Sequence, residues 1–108
     1  MPTSPVTDAT FTKDVLEEKD NYVLVDFWAE WCGPCRMLSP VIEAMSDKFS
    51  NLKVLKLNTD ENPTTSQEHK ITGIPCCILF KDGAEVSRIV GYKSESAFEA
   101  ELKQHIEG

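Results

Sequence analysis

Four cysteines are the residues of this chain best suited to do chemistry, and they form two close pairs. Cys32 and Cys35 are three positions apart, and Cys76 and Cys77 are adjacent. Neither pair closes a loop long enough to remove much conformational freedom from the unfolded chain, so a role as stabilising disulfides is not favoured. In a reducing compartment, cysteines grouped in this way indicate redox catalysis or metal binding.

The first pair lies between a predicted strand and a predicted helix, where residues 31–35 read Trp-Cys-Gly-Pro-Cys. Free N–H groups and the helix dipole at a helix start stabilise negative charge, so a thiol placed there ionises readily. Pro34 suits the first turn, because its missing N–H would have been unpaired in any case. We therefore expect Cys32, nearer the solvent at the helix mouth, to attack a substrate disulfide. Cys35, one turn further in, is expected to resolve the mixed disulfide.

A carboxylate precedes this motif inside an apolar run. Asp26 lies among valine, leucine and phenylalanine side chains, whose surroundings raise the pKa of a carboxyl group. One interpretation is a proton acceptor for Cys35, acting directly or through one water molecule. The other is a structural aspartate that faces a loop or solvent. Lys56, in the next predicted strand, is expected to be the charge partner that lowers the cost of burying Asp26.

The elements that must position these groups alternate along the chain. Continuous apolar residues predict a central strand over residues 22–28, and an apolar stripe at helical spacing predicts a helix over residues 34–49. Before the central strand, the sequence predicts a short edge strand and then, behind Thr7-Asp8, a helix containing Phe11, Val15 and Leu16. After the long helix, it predicts a strand over residues 54–57 and a short helix capped by Asn62. The last predicted elements are a hairpin of residues 76–80 and 85–90 with an Asp-Gly turn, and a helix capped by Ser94. This order predicts one α/β domain over residues 1–108, in which a mixed sheet of about five strands carries about four helices on both faces.

Composition excludes several classes of function. Hydrophobic residues make up 41% and charged residues 27% of the chain, as in soluble globular proteins. The apolar runs are too short to span a bilayer, and the amino terminus lacks the basic and apolar regions of a secretory signal. Eighteen acidic and eleven basic residues give a net charge of −7, which repels a phosphate backbone. We therefore expect neither a membrane nor a nucleic acid as partner.

The residues around the first cysteine pair closely resemble a known active-site segment. Residues 25–35 read Val-Asp-Phe-Trp-Ala-Glu-Trp-Cys-Gly-Pro-Cys, which resembles the thioredoxin family. Further matches from about residue 6 to residue 106 are Pro40, Lys56-Leu57-Asn58, Gly73-Ile74-Pro75, residues 80–83 and Val90-Gly91. The resemblance implies the thioredoxin fold and a monomeric, cytoplasmic oxidoreductase without a cofactor. Such a protein reduces protein disulfides, is re-reduced by a thioredoxin reductase, and serves electron transport and cell redox homeostasis.

The resemblance also implies roles for individual residues. Cys32 is the implied nucleophile, Cys35 the resolving thiol and Asp26 the buried proton acceptor. Pro75 is implied to be a cis-proline that faces the dithiol, and the backbone of Ile74 is implied to pair with an extended substrate chain. The other residues implied to line the docking surface are Trp31, Gly33, Pro34, Gly73 and Gly91.

The second cysteine pair departs from the family, which usually has threonine and then an apolar residue after the cis-proline. Cys76 and Cys77 can be small, buried, inert side chains, or auxiliary thiols that trap or rearrange the active-site disulfide. The two-residue period of a strand places Cys77 on the face of Pro75, nearer the dithiol, and Cys76 on the other face. Because thiolates on opposite faces cannot converge, we expect no metal site, with zinc or an iron–sulfur cluster as the alternative.

Two functions remain as hypotheses. The first is a general protein-disulfide reductase that works through a mixed disulfide, and the Gly-Pro pair between the cysteines separates it from glutaredoxins and oxidising disulfide isomerases. The second is a binding module or complex subunit with the same fold and dispensable redox chemistry. A binding surface alone gives no reason for a dithiol together with Asp26, so the reductase is favoured.

Overall fold

A five-stranded mixed sheet forms the centre of the computed structural model, which describes residues 2–106. Its strands are β1 (Ser4–Pro5), β2 (Tyr22–Trp28), β3 (Leu52–Asn58), β4 (Cys76–Lys81) and β5 (Ala84–Val90), in the order β1-β3-β2-β4-β5. β3 runs parallel to β1 and β2, whereas β4 is antiparallel to β2 and β5. The predicted mixed sheet is therefore confirmed. Residue 1 and residues 107–108 of the predicted domain lie outside the described residues.

Helices cover both faces of this sheet, as predicted. They are a π-helical turn (Thr12–Leu16), α1 (Gly33–Lys48), α2 (Pro63–Glu68) and α3 (Glu95–Lys103). Side chains of α1 and α3 share one core with the sheet, and Phe11 and Val15 belong to the core on the opposite face. Within residues 2–106, no helix is long and apolar enough to cross a bilayer.

The rotation of α1 about its axis is set by an apolar stripe. Leu38, Ile42 and Met45 are fully buried in the core between α1 and the sheet. Cys35 stands three residues before Leu38 on the same helical face and is buried with the stripe. The packing that fills this core therefore also turns Cys35 toward the sheet.

The amino-terminal cap of α2 differs from the prediction. Asn62 precedes the helix, but its side chain makes no cap hydrogen bond. Instead, the carboxylate of Asp8 accepts from the N–H groups of Thr64 at 3.2 Å and Thr65 at 2.8 Å. The oxygen Oδ1 of Asn62 accepts from the N–H of Asp8 at 2.8 Å. Asp8, which caps the helix, is far from α2 in the sequence, so local sequence patterns do not predict this cap.

The hairpin between β4 and β5 turns at the predicted Asp-Gly pair. Asp82 and Gly83 have φ angles of 54° and 80°, both in the left-handed region that two-residue hairpin turns require. A Cβ atom added to Gly83 would lie 2.7 Å from the carbonyl oxygen of Leu16. Both the backbone angle and the space at this position therefore favour glycine.

Replacing Gly83 with alanine is expected to lower the free energy of unfolding by about 1–2 kcal/mol, because the left-handed backbone disfavours a Cβ. Urea denaturation measures the loss. The control for stability is Gly73→Ala, whose new methyl group would meet its nearest neighbour at 3.9 Å. That control is expected to change the free energy of unfolding by less than about 0.5 kcal/mol. Equal losses in the two variants would contradict this account of the turn.

Candidate functional site

The Cys-Gly-Pro-Cys segment follows the turn between β2 and α1 and forms the start of α1. After β2 ends, a turn is closed by the N–H of Cys32, which donates to the carbonyl oxygen of Ala29 at 3.2 Å. The guanidinium of Arg36 donates to the carbonyl oxygen of Glu30 and ties the turn to the helix. Cys32 is the N-cap residue of α1, with φ −89° and ψ 107°. The motif therefore opens the helix, as the sequence predicts.

Cys32 and Cys35 are joined by a disulfide, and their Cα atoms are 5.2 Å apart. The N–H of Cys35 donates to the Sγ of Cys32 at 3.2 Å, so the sulfur takes the place of an N-cap oxygen. This N–H and the helix dipole favour negative charge on the Cys32 sulfur once the disulfide is reduced. The geometry thus provides the stabilised thiolate that disulfide exchange needs.

Exposure does not distinguish the two cysteines, although Cys32 was expected nearer the solvent. Both side chains are 4% exposed, since Trp28 and Ile74 pack against them. Their surroundings do differ, because the Cys32 Sγ lies 3.7 Å from the carbonyl oxygen of Ile74. Cys35 instead belongs to the buried stripe of α1. Cys32 therefore lies toward the loop before β4, and Cys35 lies toward the sheet.

Asp26 is buried in the middle of β2, which rules out an aspartate that faces solvent. Its side chain is 1% exposed, and its partners on the neighbouring strands are Lys56 and Cys77. Burial raises the pKa of Asp26 to about 6, while the positive charge of Lys56 and a hydrogen bond from Cys77 act in the opposite direction. The carboxyl group therefore keeps a pKa just below neutral.

Lys56 acts on Asp26 through its charge. Its ammonium group donates a hydrogen bond to the Oγ of Ser39 at 3.1 Å and lies 5.5 Å from the centre of the Trp28 ring. These two contacts hold the ammonium group between β3 and α1, beside the acidic group that it was expected to accompany.

A small cavity connects Asp26 with the second cysteine. Its volume is about 70 Å³, and its lining residues are Asp26, Trp28, Cys35, Arg36, Ser39 and Lys56. The polar side chains of Asp26, Ser39 and Lys56 reach this space, which is large enough for a water molecule. Cys35 and Asp26 therefore face one shared cavity.

The loop before β4 forms the other side of the site. The Ile74–Pro75 peptide bond is cis, as the resemblance implies. The N–H of Gly91 donates to the carbonyl oxygen of Pro75 at 2.8 Å, which joins the loop after β5 to the loop before β4. The two loops that carry predicted docking residues are thus held together beside the dithiol.

A groove of about 300 Å³ runs alongside these loops, lined by Trp31, Thr59, Ser66, Ile71, Thr72, Gly73 and Ile74. Trp31 is 69% exposed, and its indole N–H donates to Asp60 Oδ2 at 3.0 Å. Val90 and Tyr92, on either side of Gly91, are also exposed. Gly33 and Pro34 occupy the first turn of α1 next to Cys32, and Pro34 is exposed. Of the predicted docking residues, Trp31, Pro34 and Gly73 are therefore exposed, Gly33, Ile74 and Gly91 are half-buried, and Pro75 is buried.

Cys76 and Cys77 are free, buried thiols on opposite faces of β4, as the strand period predicts. Cys76 packs in the core that contains Phe27, and Cys77 packs in the core that contains Leu38. Burial raises the pKa of both thiols, most strongly that of Cys77. Both groups therefore remain protonated at neutral pH.

Sequence reasoning missed two polar side chains of the site and one contact. Ser39, which holds Lys56, is four residues after Cys35 and therefore on the same helical face, a signal that identifies it in retrospect. Asp60 orients Trp31 from a separate loop, and no sequence signal connects the two. The hydrogen bond between Cys77 and Asp26 depends on the register of two strands, which the sequence leaves open.

Comparison with known proteins decides the family. The thioredoxin family model matches residues 2–104. The chain belongs to the thioredoxin family. It is 47% identical to a thioredoxin of Porphyra purpurea over 107 residues, which cover 98% of this chain and 99% of the relative. It is 46% identical to thioredoxin 1 of Synechococcus elongatus over 94% of both chains. A thioredoxin of Mycobacterium tuberculosis is 50% identical over 93% of this chain and 86% of the relative.

Membership of the thioredoxin family and the bonded cysteine pair together establish the type of activity. The protein is a dithiol–disulfide oxidoreductase with the thioredoxin fold. The expected activity and fold class are therefore confirmed.

Removing the buried charge is expected to stabilise the oxidised protein. Asp26→Asn should raise the free energy of unfolding at about pH 8 by up to about 3 kcal/mol. The folded pKa of about 6 exceeds the ordinary value of 3.8, so the folded state binds the proton more tightly than the unfolded state. The contribution of Asp26 to the free energy of unfolding is therefore most favourable below about pH 4, and it is lost as the pH rises through about 6.

Urea denaturation at several pH values tests this expectation, because the gain should vanish near pH 4. Asp47→Asn, which changes an exposed aspartate of α1, is the control. It is expected to alter stability by less than about 0.5 kcal/mol at any pH. A gain for Asp26→Asn of the same size at both ends of the pH range would show that the charge is not its cause.

Proposed function

We propose that the protein reduces disulfide bonds of other proteins, with Cys32 as the nucleophile and Cys35 as the resolving thiol. The observation that carries the assignment is the N–H of Cys35, which donates to the Cys32 sulfur at 3.2 Å at the start of α1. Only the sulfur at the N-cap receives this bond and the full effect of the helix dipole. Its position beside Ile74 also favours contact with a substrate bound along that loop.

In the first step, the Cys32 thiolate attacks one sulfur of the substrate disulfide. A bond forms between Cys32 and that sulfur, the substrate disulfide breaks, and the second substrate sulfur leaves as a thiolate that takes a proton from water. Covalent capture of the substrate divides the exchange into two simple displacements.

In the second step, Cys35 releases the substrate. Its thiol proton passes across the small cavity to the carboxylate of Asp26, and the resulting thiolate attacks the Cys32 sulfur. The disulfide between Cys32 and Cys35 forms, and the first substrate sulfur leaves with the electron pair of the broken bond. A pKa of about 6 supports this role, because Asp26 is then mostly ionised at neutral pH. The charge of Lys56, which Ser39 holds in place, favours the ionised form.

The docking surface is proposed to accept an extended segment of the substrate. The backbone of Ile74 lies beside the Cys32 sulfur and is suited to pair with a peptide strand. Trp31, held by Asp60, supplies an exposed aromatic side on one flank, and Val90 supplies an apolar side chain near Gly73. Gly73 and Gly91 have no side chains, so the backbone of a substrate can approach the protein closely at these positions.

The partners follow from this chemistry. Each cycle leaves Cys32 and Cys35 oxidised, so we propose that a thioredoxin reductase restores the dithiol and that the protein serves electron transport and cell redox homeostasis. We propose a cytoplasmic location, since a reducing compartment suits a protein whose working state is a dithiol. We propose that the protein works as a monomer and without a cofactor, since the two electrons are held by its own sulfur atoms.

Single cysteine variants test the assigned roles. Cys32→Ser is expected to lower the rate of insulin-disulfide reduction by at least about a thousandfold, because the attacking sulfur is lost. Cys35→Ser should also stop turnover but accumulate mixed disulfides, which mass spectrometry detects after quenching with acid. Mixed disulfides that accumulate through Cys35 in the Cys32→Ser variant would reverse the two roles.

A further inference from the structure

Cys77 makes a contact that the activity described above does not use. It stands directly opposite Asp26 in the antiparallel pair of β2 and β4. Each of the two side chains is 1% exposed, and the Cys77 Sγ lies 3.7 Å from Asp26 Oδ1. An ionised carboxylate only accepts hydrogen bonds, so the thiol is the donor. The core of the protein thus contains an S–H group that points at the buried carboxylate.

The thiol is a permanent donor at neutral pH. Burial raises the pKa of Cys77 well above its ordinary value, and the negative charge of Asp26 acts in the same direction. A thiolate at this position would place two negative charges side by side inside the sheet. Cys77 is therefore suited to give a hydrogen bond and unsuited to attack a disulfide.

The other groups around Asp26 show what this donor adds. β3 contributes the ammonium group of Lys56, and α1 contributes Cys35, Arg36 and Ser39, which line the shared cavity. From β4, the side chain opposite Asp26 is that of Cys77, and its own partner on β5 is the apolar Ile89. Cys77 is therefore the polar side chain that β4 directs at Asp26 on its side of the sheet.

We propose that Cys77 is a positioning residue for disulfide reduction, whose S–H group donates to the Asp26 carboxylate and keeps it ionised and ready to take the proton of Cys35. This inference rests on the proposed role of Asp26 as the proton acceptor. An apolar side chain at position 77 leaves the charge of Lys56 as the main influence that favours the ionised form. The carboxylate then binds its proton at higher pH, and a smaller fraction of molecules can accept a proton in the neutral range.

The first test measures the pKa of Asp26 directly in the oxidised protein, by pH titration of its carboxyl carbon in an NMR experiment. Cys77→Ala removes the donor, and Cys77→Val removes it while filling the space. Both variants are expected to raise the pKa of Asp26 by about 0.5–1 pH unit. Cys77→Ser, which keeps a donor, should stay within about 0.3 pH unit of the wild type. An unchanged pKa in both the alanine and the valine variants would overturn the proposal.

Cys76→Ala is the matched control for this measurement. It removes a buried thiol from the neighbouring position of β4, on the opposite face of the sheet. The pKa of Asp26 is expected to move by less than about 0.3 pH unit in this variant. A rise as large as that of Cys77→Ala would mean that loosened packing, and not the lost donor, is responsible.

The second test follows the rate at which Cys35 resolves a preformed mixed disulfide, as a function of pH. The rate should fall on the acidic side as Asp26 becomes protonated, and Cys77→Ala should move that fall to higher pH. Near pH 6 the variant is then expected to be about two- to fivefold slower than the wild type. In an Asp26→Asn background, Cys77→Ala should cause no further change of the profile.

The two proposals fail in different ways in this experiment. If Asp26→Asn leaves the acidic fall of the rate in place, Asp26 is not the proton acceptor, and the role of Cys77 in reduction is overturned with it. If Asp26→Asn removes the acidic fall but Cys77→Ala does not move it, the proposed function stands and the role of Cys77 alone is overturned. A shift that persists in the Asp26→Asn background would also overturn it, since Cys77 would then act by another route.

Discussion

Burial of the apolar stripe of α1 against the sheet sets the position of the reacting groups. Each fully buried side chain such as Leu38 or Ile42 contributes about 1.5–3 kcal/mol, whereas a single hydrogen bond at the helix mouth contributes about 1 kcal/mol. The core therefore fixes the rotation of the helix, and Cys35 faces the sheet because it belongs to the stripe. Cys32 precedes the first helical residue and so lies toward the loop before β4. The different surroundings of the two sulfur atoms are a consequence of helical geometry.

The buried carboxylate of Asp26 works against stability when it is ionised. The free energy of a charge inside a sheet depends on the side chains of the neighbouring strands. Here β3 contributes a cation, Lys56, and β4 contributes a thiol donor, Cys77. Neither neighbour cancels the effect of burial, since the pKa of Asp26 stays at about 6. The outcome is a carboxyl group close enough to neutrality to exchange a proton during a reaction. An ion pair at full contact would have held the carboxylate too firmly ionised for that purpose.

Local patterns predicted the elements, and remote contacts account for what they missed. The strand over residues 22–28 agrees with β2 at both ends, because its apolar run is continuous, whereas β3 was predicted short since Lys53 and Asn58 interrupt the apolar pattern. The cysteine motif and the burial of Asp26 also follow from nearby residues. The packing of Ile74 against Cys32 and the capping of α2 by Asp8 do not follow from nearby residues. In both cases the contacting residue lies more than 40 positions away in the sequence. Sequence periodicity specifies which face is buried but not which distant residue arrives there.

The amino-terminal segment supports the groove beside the cysteines as well as the edge of the sheet. β1 covers the edge of β3 at Leu55 and Lys56, and Asp8 caps α2, which in turn contributes Ser66 to the wall of the groove. A fusion tag or protease that peeled residues 2–8 away would therefore loosen that wall from behind. It would also open a strand edge to pairing with other chains. Changes in this segment can thus loosen the proposed docking groove while both sulfur atoms stay untouched.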